Sequence, residues 1–400
     1  MNSFTIWNPT QIFFGPEHAD GFAKAVAALG KKALVVIGGG SVKKLGYLNT
    51  VTEALNKAGV AAELFEGIEP NPNAPTVNKA AEIGRKFGAD VVVPVGGGSA
   101  MDAAKAIAGL IFTGEKDIWP FVVGQPKMGR LAGAVPVAAV PTTAATASEV
   151  TEYSVISYYE KNEKSVLAHP FFKPKAAWIN PAFTVDVPKT TTADGGADIL
   201  SHVLENYLLG GNDSPLADGY TETVIRTVIE TLPQVLLDPK NVALRGNLHW
   251  ASTLALNGYQ LAGRNPAEFV LHSMEHALSG FKSDLAHGRG LATLYPSYFR
   301  WLYDTNRGRD RLAKLARNIF AVGGPDIDTS AMLFIQRFEG WLKEAGLFQS
   351  LESIGFDPKQ YETIANYCVK VYGNGGQLNA LGALPVSDIV KIFQGTKRQA

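Results

Sequence analysis

Four residues of this 400-residue chain have the types and spacing of a metal site: Asp198, His202, His272 and His287. Asp198 and His202 stand four apart in ADILSHVLENYLL, which reads as helix, so their side chains leave one helical face about a turn apart. His272 and His287 lie in LHSMEHALSGFKSDLAHG. Three imidazoles with one carboxylate suit one borderline divalent cation, Fe²⁺ or Zn²⁺, better than Ca²⁺ or Mg²⁺. An isolated Asp-x-x-x-His pair is most often a hydrogen-bonded surface pair. Here Ile199, Leu200, Val203, Leu204 and Leu208 imply a buried helix, where an unpaired carboxylate is costly and a bound ion removes the cost. His202, His272, His276 and His287 make up four of the seven histidines, and that clustering also favours a site.

Upstream, VPVGGGSAMDAAKAIAGL places Gly96, Gly97, Gly98 and Ser99 between an apolar strand and an Ala-rich helix. Glycines let backbone approach a phosphate, and a helix N-terminus offers unpaired N–H groups, so this turn suits a diphosphate. VVIGGGSVKK repeats the arrangement at Gly38, Gly39, Gly40 and Ser41, although neither turn is the GxGxxG dinucleotide fingerprint. NAD-selective sites carry a carboxylate near such a strand end. This position offers three glycines followed by Ser41, Lys43 and Lys44, which favours a 2′-phosphate and hence NADP(H) over NAD(H). HSMEH also fits H-x-x-E-H, the pattern of some metallopeptidases with Glu275 as general base, but a peptidase has no use for two glycine turns on strand ends.

The elements that must position these residues fall into two kinds. The first 180 or so residues alternate β-branched runs with amphipathic segments, the pattern of a parallel sheet covered by helices. Strands are expected at 33–37, 62–65, 90–95 and 135–140, with helices at 49–59 and 74–88 ending on Gly59 and Gly88 as left-handed caps. The polar stretch 159–176 reads as an excursion approaching a cofactor. From 189 onward long amphipathic stretches follow one another at 216–237, 241–262, 309–321, 330–345 and 358–371. The fold class is therefore an α/β dinucleotide-binding domain, 1–188, followed by an all-α metal-binding domain, 189–400, with INPAFTVDVPKT at the junction and ligands in the cleft between them.

Composition narrows the partners. Hydrophobic residues make up 46% and charged residues 18%, enough for large cores. Lys plus Arg and Asp plus Glu both count 37, so no bulk field gathers nucleic acid or an anionic membrane. The lone cysteine, Cys368, excludes an internal disulfide framework and a cysteine-based zinc site, and fits a cytoplasmic protein. MNSFTIWNPTQ does not read as a signal peptide, and no stretch offers the roughly 20 apolar residues of a membrane span.

With these segments in order, the chain resembles the iron-containing (group III) alcohol dehydrogenases, especially their NADPH-dependent butanol dehydrogenase and aldehyde reductase branch. FTIWNPTQIFFG, GGGSAMDAAK, PTTAATASE, GADILSHVLE and the H-x-x-x-H with a later HG carry the resemblance along nearly the whole length. It implies a dehydroquinate synthase-like fold with a catalytic metal in the interdomain cleft. The family's ligands fall on Asp198, His202, His272 and His287, and its diphosphate turn on Gly96 to Ser99 with Asp102 close behind. The adenosine end is expected at Gly38 to Ser41 and at Asn71. Thr142, Thr143 and Thr146 match threonines lining the cofactor, Lys164 resembles a lysine that reaches the nicotinamide ribose, and His276 falls on a histidine near the substrate, a proton relay. The usual PTTxGTGSE reads PTTAATASE, so Ala145 and Ala147 replace glycines, tolerated wherever φ is negative. The resemblance implies hydride transfer between NADP(H) and primary alcohols or aldehydes such as butanol and butyraldehyde. It also implies a homodimer, through the strand-like N-terminal segment. Within the same fold a glycerol dehydrogenase or a dehydroquinate synthase is the alternative. The apolar residues between the histidines of HSMEHALSGF point to a neutral, hydrophobic substrate. A non-enzymatic scaffold would leave both glycine turns and the ligand set without a purpose.

Overall fold

β-branched runs and short amphipathic segments build the first half. A computed structural model describes residues 1–211, 214–265 and 267–399. Its strands are Gln11–Phe14 (β1), Lys32–Ile37 (β2), Ala61–Glu66 (β3), Val91–Gly96 (β4), Ala138–Pro141 (β5), Tyr153–Tyr158 (β6), Glu163–Ala168 (β7) and Ala176–Ile179 (β8). Ala19–Leu29 (α1), Ser41–Lys44 (α2), Tyr47–Lys57 (α3), Ala74–Phe87 (α4) and Gly98–Thr113 (α5) connect them. Six strands form one parallel sheet in the order β1-β8-β5-β4-β2-β3. Because side chains alternate along a strand, Leu34 and Val36 of β2 join α4 and α5 in one core while Ala33, Val35 and Ile37 join α1 and α3 in another. Both faces of the sheet are thus buried along β2, β4, β5 and β8, which read as apolar runs, while the edge strands β1 and β3 are largely exposed.

Three expectations shift here. The strand expected at 135–140 is confined to β5, preceded by a single bridge from Val137 to Val92. The stretch 159–176 is no open excursion: β6 and β7 pair antiparallel around Asn162, whose φ of 54° makes the turn, and Lys164 and Ser165 of β7 are buried. Strand β8 was not read from the sequence, and the strand-like N-terminal segment proves to hold only the four residues of β1.

The second half is helical: Lys189–Leu209 (α6), Pro215–Leu237 (α7), Val242–Ala255 (α8), Val270–Phe281 (α9), His287–Asp304 (α10), Arg309–Phe320 (α11), Ile327–Glu344 (α12), Tyr361–Tyr372 (α13) and Val386–Gly395 (α14). A two-stranded ribbon, Gln377–Asn379 (β9) with Ala383–Pro385 (β10), precedes α14. The stretch 241–262 breaks at Ala255, ending in a short turn at Tyr259–Leu261. At the centre lies α6, buried continuously from Gly195 to Leu209 and packed against α7, α8, α9 and α10. A helix apolar on all sides is a core helix. Two glycines permit its close approaches. A methyl on Gly195 would overlap the carbonyl oxygen of Ala144, and one on Gly288 would overlap that of Asp194. These contacts press α6 onto the 142–147 turn and onto the start of α10.

Candidate active site

Buried on α6, Asp198 and His202 are held one turn apart by the helix. His272 comes from the first turn of α9 and His287 is the first residue of α10. Asp198 Oδ1 lies 3.6 Å from His202 Nε2, 3.9 Å from His272 Nε2 and 3.6 Å from His287 Nε2. These separations exceed a hydrogen bond. Ligand atoms about 2.1 Å from a tetrahedral ion sit about 3.4 Å apart, against about 3.0 Å for neighbouring octahedral ligands. Asp198 Oδ1, His202 Nδ1 and His272 Nε2 are buried with no hydrogen-bond partner among the protein groups. Buried polar atoms are rarely left so. Two of the three, Asp198 Oδ1 and His272 Nε2, converge with the Nε2 atoms of His202 and His287, which fits a divalent ion; His202 Nδ1 lies on the other side of its ring. Burial lowers the His202 pKa to about 3, and the neutral imidazole this enforces is the form that ligates a metal.

Two buried glutamates stand behind these histidines. Glu205, one turn past His202 on α6, accepts hydrogen bonds from the backbone of Leu271 (2.7 Å) and His272 (3.3 Å) and from His272 Nδ1. One carboxylate thereby caps α9 and turns the His272 ring so that Nε2 faces Asp198. Glu275 does the same for His287, whose Nδ1 it engages, while also accepting from Ser279 and pairing with Lys164 Nζ at 3.4 Å. Burial would raise the Glu275 carboxyl, but His287 and Lys164 hold it well below the usual carboxylate range. With Glu275 so engaged, the peptidase role considered for HSMEH has no free general base.

Across from this cluster stands the second glycine turn. Gly97 caps α5, Gly98 and Ser99 begin it, and their first-turn amides lie at the cleft wall. Thr143 approaches Gly97 and Thr146 approaches Gly98 so closely that a methyl on Gly98 would sit 2.5 Å from Thr146 Cγ2. Thr142 donates its N–H to Gly96 at 2.9 Å. Asp102 lies one turn below, both oxygens engaged by Ser148 Oγ (2.6 Å) and the Val155 N–H (2.9 Å), so it ties α5 to β6. The fully buried Lys105 completes that tie through Ser148 and the Tyr153 carbonyl, and burial lowers its pKa to about 8.

A cavity of about 420 Å³ joins the two sides. Asn71, Gly98, Ser99, Asp102, Thr146, Lys164, Asp198, His202, His272, His276 and His287 all line it, as do Phe269, Leu256 and Tyr372. His276 Nδ1 meets the Tyr372 hydroxyl at 3.1 Å, and burial lowers the His276 pKa well below the ordinary value. Asn71 departs from expectation. Instead of joining Gly38–Ser41, it crosses to the helical half, donating to the carbonyls of Ser283 and Leu285 and accepting from Lys164 Nζ at 3.0 Å. Gly38–Ser41 stands apart from the cavity at the end of β2, with Gly39 and Ser41 exposed. Its neighbour is a carboxylate that the linear reading did not provide, Glu66 of β3, paired with Lys43 at 3.1 Å.

Comparison with known proteins decides what such a cleft belongs to. Residues 9–181 match the family described as iron-containing alcohol dehydrogenase, and residues 192–395 match its C-terminal part. The chain belongs to the iron-containing alcohol dehydrogenase family. It is 36% identical over 398 residues to the probable NADH-dependent butanol dehydrogenase 1 of Bacillus subtilis, covering 98% of this chain and 99% of that protein. To the NADPH-dependent aldehyde reductase of Escherichia coli it is 31% identical over 357 residues, 89% of this chain and 90% of the relative. The crystal structure of NADH-dependent butanol dehydrogenase A from Thermotoga maritima, 31% identical, superimposes with a TM-score of 0.92 over 99% of each chain. As an iron-containing alcohol dehydrogenase, the chain carries out alcohol–aldehyde oxidoreduction with a pyridine nucleotide and a metal. No helix of the described residues is long and apolar enough to cross a membrane.

Among the residues of this dehydrogenase that the linear reading missed, Glu205 had a signal: Asp198, His202 and Glu205 follow the i, i+4, i+7 spacing of one helical face. Tyr372 and Glu66 had none, since each reaches the site from an element remote in sequence.

Proposed function

We propose that the chain reduces neutral, apolar aldehydes to primary alcohols, and runs the reverse reaction, at one divalent ion held by Asp198, His202, His272 and His287. The observation that carries this is the meeting of unpartnered buried ligand atoms with the α5 glycine turn across one small cavity. When bound, the ion supplies a Lewis acid for the substrate oxygen, and the nicotinamide supplies or accepts the hydride. The α5 N-terminus, with Gly96 to Ser99, binds the diphosphate; Thr142, Thr143 and Thr146 wall the cofactor, and Lys164 and Asn71 orient its nicotinamide ribose. Asp102 keeps α5 and β6 in register beneath it. His276, oriented by Tyr372, moves the proton to or from the substrate oxygen. Butanol and butyraldehyde suit the apolar wall of Leu256, Phe269 and Val166. A phosphorylated, carboxylated substrate does not, because Lys164 is the single Lys or Arg among the lining residues and it is already paired with Glu275.

The sequence-based preference for NADP(H) supposes that Lys43 and Lys44 are available to a phosphate, and relatives named for each nucleotide match this chain. Glu66 points us the other way, as argued below. Fe²⁺ and Zn²⁺ both suit the donor set. We also propose 1–188 and 189–400 as the two domains, parted at Pro188 before α6. A cytoplasmic homodimer is our reading of the assembly, supported by a buried free Cys368 and by the open edge of β1 beside the groove formed with Pro181 and Trp250.

The test is the nicotinamide absorbance with butyraldehyde, on enzyme stripped of metal and refilled separately with Fe²⁺ and Zn²⁺. Turnover that returns with metal is the expected result. No turnover with NADH or NADPH under either ion overturns the reading.

A further inference from the structure

We propose that Glu66 sets the nucleotide preference of this enzyme, favouring NAD(H) by occupying the ground where the 2′-phosphate of NADP(H) would lie. The inference rests on the reading that Gly38–Ser41 receives the adenosine ribose. Strand β2 ends at Ile37 and continues into three glycines, so β2 itself offers no side chain to the ribose. Strand β3 runs parallel beside it in a register that sets Glu66 opposite Ile37. The carboxylate therefore stands at the sheet's C-terminal edge, where ligands of such folds bind, and it comes from the next strand rather than from the one that carries the turn. Its reach is fixed by two contacts. A methyl built on Gly40 would lie 3.1 Å from Glu66 Oε1, so that oxygen overhangs the turn. Glu66 Oε2 meets Lys43 Nζ at 3.1 Å.

Each contact changes the electrostatics of the turn. A carboxylate over Gly40 can accept hydrogen bonds from ribose hydroxyls and repels a phosphate at the same place. Lys43, one of the two lysines that would otherwise meet that phosphate, is neutralised by the same group. Both side chains are 40–56% exposed, so the pair stabilises the fold little and its removal should leave the enzyme folded.

The experiment is direct binding of NADH and NADPH to the metal-loaded enzyme, followed by nicotinamide fluorescence, in the wild type, Glu66→Gln and Gly39→Val. Gly39 has an ordinary backbone angle and open space around it, so a valine there obstructs a ligand and not the fold. The wild type should prefer NADH, and Glu66→Gln should move the NADPH-to-NADH affinity ratio by roughly 10- to 100-fold toward NADPH, as like-charge juxtaposition predicts. The shift should shrink as salt is raised. Gly39→Val should weaken both nucleotides together. If Gly39→Val weakens both while Glu66→Gln leaves the ratio unchanged, the assignment to Glu66 is overturned and the placement of the ribose stands. If Gly39→Val changes neither affinity, the placement fails and the inference falls with it.

Discussion

The two ends of the cofactor path are built on opposite principles. At the end proposed for the metal the chemistry resides in buried side chains, and each of two candidate ligands is fixed by a buried glutamate: His272 by Glu205, His287 by Glu275. At the end proposed for the adenosine, Gly38–Ser41, it resides in backbone, with Gly39 and Ser41 exposed and one half-exposed ion pair, Lys43–Glu66, beside it. Burial makes the first end unforgiving, since an unpaired polar group there costs about 1–3 kcal/mol. Solvent screens the second, so it can be retuned by single charges at little cost in stability. On the reading proposed above, the chemistry is fixed in the interior of this enzyme, and the choice of nucleotide is adjusted at its rim.

The strongest way to break this comparison is at Asp198. Asp198→Ala removes the one oxygen common to all three histidine separations, and turnover should fall by roughly a thousandfold or more, since a Lewis acid contributes several kcal/mol. Metal content after dialysis, by emission spectroscopy, should fall with it. An Asp198→Ala protein that keeps both metal and turnover would show that the interior does not fix the chemistry.

Next in size are the two glutamates, which sharpen the comparison because they differ in one respect. Both orient a histidine, but only Glu275 also touches Lys164, the residue assigned to the nicotinamide ribose. Glu205→Gln should weaken metal affinity by about 10- to 100-fold and leave NADH affinity unchanged. Glu275→Gln should weaken both. Chelator competition and nicotinamide fluorescence read the two affinities separately, and a loss of stability alone would not divide them in this way. Equal effects of the two variants on NADH would cut the proposed link between the metal end and the cofactor.

What the linear sequence made legible follows the same division. The candidate ligands, which the fold brings together, were legible as a group because Asp198 and His202 lie on one face of one helix, and because three further histidines fall within 16 residues of one another. Parallel strands β2 and β4 were readable as apolar runs, and the caps at Gly59 and Gly88 as glycines with φ of 75° and 74°. The hairpin β6–β7 was hidden, since the charges of YEKNEK suggested solvent while Lys164 is in fact buried against Glu275. Glu66 was hidden for a different reason. Its significance depends on strand register, a relation between two segments that neither contains alone.

The smallest predicted effect lies between the two ends, at the turn where PTTAATASE departs from the family pattern. Replacing the usual glycines by Ala145 and Ala147 was expected to be harmless at negative φ. Ala147 instead has φ of 51°, in the left-handed region, whereas Ala145 is not among the residues of positive φ. A non-glycine residue in that region costs about 1–2 kcal/mol. Ala147 is also 1% exposed, so deleting its methyl forfeits about 0.8 kcal/mol of burial. Glycine also frees the unfolded chain by about 0.4–1 kcal/mol, so relief of strain roughly offsets the losses and Ala147→Gly should change stability by less than about 0.5 kcal/mol. Ala145→Gly has no strain to relieve and should destabilise, by about 0.5–1 kcal/mol, through the freedom it gives the unfolded chain. Thermal unfolding of the two variants side by side checks the difference. If Ala147→Gly is destabilised as much as Ala145→Gly, the packing of the Ala147 methyl outweighs its backbone, and this turn belongs with the unforgiving interior rather than with the tunable rim.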